Sequence, residues 1–248
     1  MLFLSIFLPV VTSFVLGRRD SRRICDQQGR AYVGKYILYN NLWNANGYEG
    51  SQCLEAPSSQ ANPTSWSSNW NWKFYGDPEK DNQVKSFSNV YLQGLPKDIS
   101  TIQSIPSTWS WSYSGNSVRA DVAYDLFLGQ HSDSRPDVEI MIWVGALGGV
   151  LPISNGDKAV NLDLEGINWS LYHGITDFNG FTTQVYSFVA NSGQLRDFKG
   201  DINQFITHLK NEGYFSSKYY LHTLDAGTEA FSGENAIFDT SVYSVDLL

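Results

Sequence analysis

Apolar and polar residues alternate along much of this chain, and turn-forming residues, rather than long helical repeats, break the alternation. In residues 118–127 (VRADVAYDLF), Val118, Ala120, Val122, Tyr124 and Leu126 point one way and Arg119, Asp121, Ala123, Asp125 and Phe127 the other, the pattern of a half-buried strand. Trp70, Trp72 and Phe74 alternate in the same way, as do Trp109, Trp111 and Tyr113, while residues 183–189 and 241–247 are β-branched and aromatic. Stretches such as Ser114-Gly115-Asn116 and Asn155-Gly156-Asp157 divide these segments. Many short strands separated by turns predict an all-β, two-sheet sandwich. One segment departs from the pattern: between Asp201 and Asn211, Ile202, Phe205, Ile206 and Leu209 recur at helical spacing, Asp201 is placed to cap the start, and Gly213 follows the end. The expected architecture is a single β-sandwich with one packed α-helix.

Composition narrows the class. Of 248 residues 42% are hydrophobic and 17% charged, which excludes a disordered chain. Aromatic residues reach 15%, and the formal charge is -8 with a pI near 4.9, so phosphate backbones and anionic lipids are disfavoured partners and a neutral one is favoured. Residues 1–17 read as a signal peptide, too short and too interrupted by Pro9 for a membrane span. The basic segment 18–24 is unassigned, and residues 25–248 form the mature domain. A secreted, extracellular protein with no membrane attachment after cleavage follows. In that oxidising setting Cys25 and Cys53 are expected to form one disulfide.

The four histidines, His131, His173, His208 and His222, lack metal-ligand spacing, and neither a nucleophile elbow nor a phosphate-cradling loop is present. No metal or cofactor is implied, and carboxylates remain. In DVEIMIWV, period two sets Glu139, Met141 and Trp143 on one face and Ile140, Ile142 and Val144 on the core face. A sugar ring stacks on an indole while a carboxylate reaches its anomeric carbon, so this strand suits a glycan cleft. Glu229 follows Gly227, read as a turn or bulge that re-aims the acid. Asp163 and Glu165 read as a solvent-facing acidic pair, and Asn168-Trp169-Ser170 is the only glycosylation sequon, because Pro63 disqualifies Asn62.

The ordered segments NNLWNA (40–45), VKSFSN (84–89), VAYDLF (122–127), EIMIW (139–143), VYSFVA (185–190) and AGTEAF (226–231) resemble glycoside hydrolase family 12, across residues 25–248. The resemblance implies a β-jelly roll of two antiparallel sheets with an open cleft, and hydrolysis of β-1,4-glucan backbones with retention. It makes Glu139 the nucleophile, Glu229 the general acid/base and Asp125 a support hydrogen-bonded to the nucleophile. It places Asn41, Trp43, Met141, Trp143 and Phe231 along the substrate. Retention asks for one ionised and one protonated carboxyl about 5 to 5.5 Å apart, so an acidic pH optimum is expected, with activity lost well above neutrality.

Departures from the family pattern are Gln28 where a Trp is usual, Leu151 where a Gly precedes Pro152, and Ala230 where a Pro follows the acid/base, the last expected to free a turn. None of these removes a catalytic group. The GALGG loop (145–149) resembles the xyloglucan-specific branch, its small residues leaving room for xylosyl branches. The reading is therefore a secreted, monomeric endoglucanase on plant cell-wall β-glucan, with xyloglucan ahead of unbranched or mixed-linkage glucan. A glycan-binding or catalytically inactive decoy of the same fold is the alternative. No nucleic-acid partner is expected, and plant inhibitor or receptor proteins are not identifiable from these residues.

Overall fold

A computed structural model describes residues 21–58, 63–156, 159–178, 180–216 and 218–248. The assigned leader and residues 18–20 lie outside the described residues. The strands, in chain order, are β1 (Ser21–Ile24), β2 (Arg30–Val33), β3 (Tyr36–Tyr39), β4 (Gly50–Pro57), β5 (Thr64–Trp72), β6 (Ser86–Leu92), β7 (Lys97–Asp98), β8 (Pro106–Gly129), β9 (Val138–Leu147), β10 (Val160–Leu164), β11 (Ile167–Phe178), β12 (Phe181–Ala190), β13 (Asp197–Asp201) and β14 (Tyr220–Val245). A one-turn helix α1 (Pro78–Asp81) and the helix α2 (Asn203–Asn211) accompany them. The hydrogen-bonded path runs β1-β4-β5-β14-β8-β9-β12-β11-β10, and β2-β3-β6 branches from β14.

The two long central strands make a sandwich of this path. Residues 106–110 of β8 pair with β13, while residues 120–128 pair with β9, so one bent strand serves both layers. The stretch Ser114-Gly115-Asn116 does not divide two strands, as its composition predicts, but lies inside β8. Gly115 is needed there because a Cβ would stand 2.7 Å from the Cα of Ala236 on β14. Between the layers Trp66, Trp109, Tyr124, Phe238 and Tyr243 interlock, with ring centroids 4.9 Å apart for Trp109 and Tyr124. Emptying one such indole site costs about 3 to 5 kcal/mol.

Three expectations are corrected. First, β9 and β12 run parallel, because the chain leaves β9, turns back through the β10–β11 hairpin and returns in the original direction. Second, residues 118–127 are not half-buried. Val122, Tyr124 and Leu126 are in the core, but Asp121, Ala123 and Asp125 on the other face are also covered, because that face is the floor of a groove packed against the side chains of neighbouring strands. Third, α2 starts at Asn203 with Ile202 at its N-cap. Asp201 ends β13 one residue earlier, and its Oδ1 accepts from the backbone N–H of both Asn203 (3.0 Å) and Ile105 (2.6 Å). Phe205, Ile206 and Leu209 bury the helix against Trp169 and Phe188, as the spacing predicts.

The unassigned basic segment is partly structural. Ser21–Ile24 pairs antiparallel with residues 54–57 of β4, and the Cys25–Cys53 disulfide closes the end of that ladder. The bridge spans 28 residues, a loop whose closure restrains the unfolded chain by about 3 to 4 kcal/mol. Replacing both cysteines by serine is expected to cost about 3 kcal/mol in urea unfolding followed without reductant. An unchanged midpoint would assign the stability of this edge to β1–β4 pairing alone.

Candidate active site

Four strands supply the groove floor. On β9, Ile140, Ile142 and Val144 are sealed in the core, which forces Glu139, Met141 and Trp143 onto the opposite face. By the same period, β8 presents Asp121, Ala123 and Asp125, and β14 presents Asp225, Gly227 and Glu229. β6 adds Asn89, whose Cα partner is Gly227.

Gly227 does not turn or bulge the strand. Residues 225–230 pair with β6 in unbroken register, and Gly227 has no left-handed backbone. Its role is close approach, since a Cβ would stand 2.2 Å from the Ser88 carbonyl oxygen and 2.8 Å from Asn89 Cβ. Ala230, expected in a loosened turn, is a fully buried strand residue whose carbonyl accepts from the Lys85 N–H at 2.9 Å.

The carbonyl and carboxyl of Asp121 fix the position of Glu229. Trp70 Nε1 donates to Tyr113 Oη (2.9 Å), Tyr113 Oη lies 3.0 Å from Thr228 Oγ1, and Thr228 Oγ1 donates to the Asp121 carbonyl (2.5 Å). Because Thr228 spends its proton on Asp121, the Tyr113 hydroxyl must donate to Thr228, so the chain has one direction. Asp121 Oδ1 in turn accepts the Glu229 N–H at 2.9 Å. Asp121 is the residue that sequence reasoning missed. Period two placed it on the face of Asp125, but nothing in the pattern showed that this face is buried.

Burial dominates the electrostatics. Glu139 is pushed up to about 8 by desolvation and then by the charge of Glu229, while Glu229 is pushed up to about 7 by desolvation, offset by its hydrogen bond with Asp121. Asp125 and Asp121 are held well above the usual carboxylate range by desolvation first, then by Glu139 and Glu229 respectively, and Asp225 rises to about 7. These protons belong to the coupled set rather than to single residues. Asp125 Oδ1 has no hydrogen-bond partner, so what links Asp125 to Glu139 in this structure is charge. The neighbouring cations are engaged elsewhere. Arg119 Nη1 and Nη2 donate to the Asp81 carbonyl (2.6 Å) and Asn82 Oδ1 (2.7 Å), and buried Lys85 Nζ donates to the carbonyls of Lys80 and Gln83.

The other sequence-predicted positions divide by burial. Trp43 is 52% exposed, whereas Met141, Trp143 and Phe231 pack together with Ala123, Val150 and Val185. Asn41 has a left-handed backbone (φ 46°), and its carbonyl accepts from Phe87 N–H. Asp163 and Glu165 lie outside the groove, accepting from Asn168 Nδ2 and the Asp201 N–H, and Asn168 itself is exposed on β11. Gln28 and Leu151 are exposed.

This body and groove match known proteins. The family model described as glycosyl hydrolase family 12 matches residues 34–247. The chain belongs to that family. A probable xyloglucan-specific endo-beta-1,4-glucanase A of Neosartorya fischeri is 45% identical over 227 residues, covering 91% of each chain. The xyloglucan-specific endo-beta-1,4-glucanase A of Aspergillus niger is 43% identical, covering 99% of this chain and 98% of its own. Among solved structures, the catalytic domain of Humicola grisea Cel12A, in complex with a soaked thio cellotetraose, superposes with a TM-score of 0.82 at 32% identity over 92% of this chain and 99% of its own. The jelly roll expected of a family 12 protein is therefore the fold of this chain.

The raised carboxyls set a pH dependence of stability. An unfolded carboxyl titrates near pH 4, so between about pH 4 and pH 8 this family 12 domain binds more protons folded than unfolded, and stability falls as pH rises. Denaturant midpoints are expected to drop from pH 5 to pH 8, and Glu229→Gln, which cannot ionise, to flatten the drop. Equal slopes for wild type and variant would remove Glu229 as a contributor.

Proposed function

We propose that this chain is a secreted endo-β-1,4-glucanase that cleaves the xyloglucan backbone with retention, using Glu139 as nucleophile and Glu229 as general acid/base. The observation that carries the reading is that Glu139 and Glu229, on different strands, are half-buried in one groove, where burial raises the proton affinity of both and the charge of Glu229 raises that of Glu139 further. A retaining hydrolase needs one ionised and one protonated carboxyl about 5 to 5.5 Å apart, so the reactive form is the one in which the proton of the coupled pair sits on Glu229. In the first step Glu139 attacks the anomeric carbon while Glu229 gives its proton to the departing glycosidic oxygen. In the second Glu229 takes a proton from water, which displaces Glu139 from the covalent glycosyl-enzyme. Two inversions give net retention. Asp125, beside Glu139, resists a second negative charge and so discourages full ionisation of the pair before substrate arrives.

The choice of xyloglucan rests on the relatives rather than on the GALGG loop. Gly145 is required by the core, where a Cβ would stand 2.7 Å from Trp111 Cη2, and Gly148 by the Val118 carbonyl at 2.4 Å. Only at Gly149 does no atom lie within 4 Å of an added Cβ, so the loop's small residues are largely explained without a branched substrate. Export is supported by the leader and the disulfide, and no helix among the described residues is long and apolar enough to cross a membrane.

Purified protein is expected to release reducing sugar from tamarind xyloglucan faster than from carboxymethylcellulose or barley β-glucan, and Glu139→Gln and Glu229→Gln each to lower turnover by about 10³-fold. Preference for the unbranched glucans would keep the mechanism and overturn the substrate. No release by folded wild type from any of the three would favour a binding protein. The alkaline limb of kcat/KM is expected near pH 7 to 8, where the last shared proton leaves; a limb near pH 4 to 5, typical of free carboxyls, would count against buried catalytic groups.

A further inference from the structure

The groove floor contains an acid that the mechanism above does not use. Asp225 stands directly opposite Asp125 on β8 and opposite Tyr91 on β6. Its one hydrogen bond among the described residues comes from Asn89 Nδ2, which donates to Asp225 Oδ1 at 3.1 Å. Asn89 is 3% exposed and sits in the space that Gly227 leaves by lacking a Cβ, so its carboxamide is held against Asp225 rather than free to turn toward solvent.

A carboxyl keeps acceptor capacity on its oxygens with or without its proton, and Asp225 spends one contact of it, on Asn89. No lysine or arginine among the described residues pairs with it, and its cross-strand neighbour is another acid, an arrangement that destabilises an isolated sheet. Asn89 Oδ1 and Asp125 Oδ1, one on each side, are buried and also lack partners. The row therefore holds several acceptors and few donors. Asp225 is half-buried, so it reaches the groove surface; its Cα partner is half-buried Tyr91, and the ring of half-buried Tyr39 lies against that of Tyr91 with centroids 6.5 Å apart. Neutral sugars carry the matching chemistry: hydroxyls that donate, and C–H faces that rest against aromatic rings. Asn89, Asp225 and Asp125 lie on three successive strands about 4.8 Å apart. The row thus leads across the sheet toward Met141, the Cα partner of Asp125 and two residues from Glu139.

We propose that Asp225 is a substrate-binding residue. One of its oxygens is anchored by Asn89, and the other accepts hydrogen bonds from hydroxyls of the sugar unit lying over β6 and β14, beside the unit attacked by Glu139. The proposal rests on the reading of the groove as a glucan cleft and adds to it a position that the nucleophile and acid/base do not supply.

Steady-state kinetics on xyloglucan test it. Asp225→Leu is expected to raise KM about tenfold with kcat within about twofold, and Asp225→Asn, which keeps an acceptor toward Asn89 but turns a donor toward the sugar, to recover part of the loss, because a sugar hydroxyl also accepts. Unchanged KM, a fall in kcat at constant KM, or Asn as damaging as Leu would overturn the proposal. Where Leu does not fold, calorimetric titration of monodeoxy cellotetraoses gives an independent reading. Against Glu139→Gln protein, one analogue should bind about tenfold more weakly than cellotetraose. Adding Asp225→Ala should erase that difference, and a difference that persists for every analogue overturns the role. Loss of activity in Glu139→Gln and Glu229→Gln holds the enzyme reading whichever way Asp225 behaves; retained activity in those two would instead remove the reading beneath it.

Discussion

Five carboxyls, Asp121, Asp125, Glu139, Asp225 and Glu229, share one groove floor, and among the described residues no cation pairs with any of them. Moving an unpaired charge out of water costs several kcal/mol, so the cluster meets this constraint by holding protons past the pH at which exposed carboxyls lose them. That retention is what a retaining glycosidase needs at its acid/base. It is also a stability cost that grows with pH, so the proposed chemistry and a pH dependence of stability rest on the same groups.

The rest of the structure serves to keep the cluster in place and its counter-charges away. Arg119 stands two residues from Asp121 on the same strand face and could neutralise it, but its guanidinium is bound to the α1 segment. Lys85 leads into β6, yet its ammonium, lowered to about 8 by burial, is held by loop carbonyls and lies over the Tyr48 ring. The small loop around α1 thus binds both cations that approach the groove from this side. Behind the floor, the interlocked aromatic core and the directed chain from Trp70 through Tyr113 and Thr228 to Asp121 tie the position of Glu229 to the sandwich interior. A carboxyl supported in this way moves only if the body of the protein moves.

The long bent strands explain why these residues meet at all. Glu139 and Glu229 are 90 positions apart, and Asp121 joins them only because β8 lies between β9 and β14 throughout the floor. The Humicola grisea Cel12A catalytic domain superposes over 92% of this chain with a TM-score of 0.82, so it shares this overall architecture.

The sequence by itself determined the period-two strands, the face of β9 that carries Glu139, the apolar stripe of α2, and, through six ordered segments, the family and the residues proposed for catalysis. These are legible because each depends on near neighbours in the chain or on a family's motifs. It did not determine that the Asp121–Asp125 face is buried, that Gly115 and Gly227 serve close approach rather than turning, that β9 and β12 run parallel, or that Asn89 holds Asp225. Period two assigns residues to a face but carries no information about what covers that face. Burial, proton affinity and the spending of hydrogen-bond donors are set by strands far apart in sequence, and only the tertiary structure decided them.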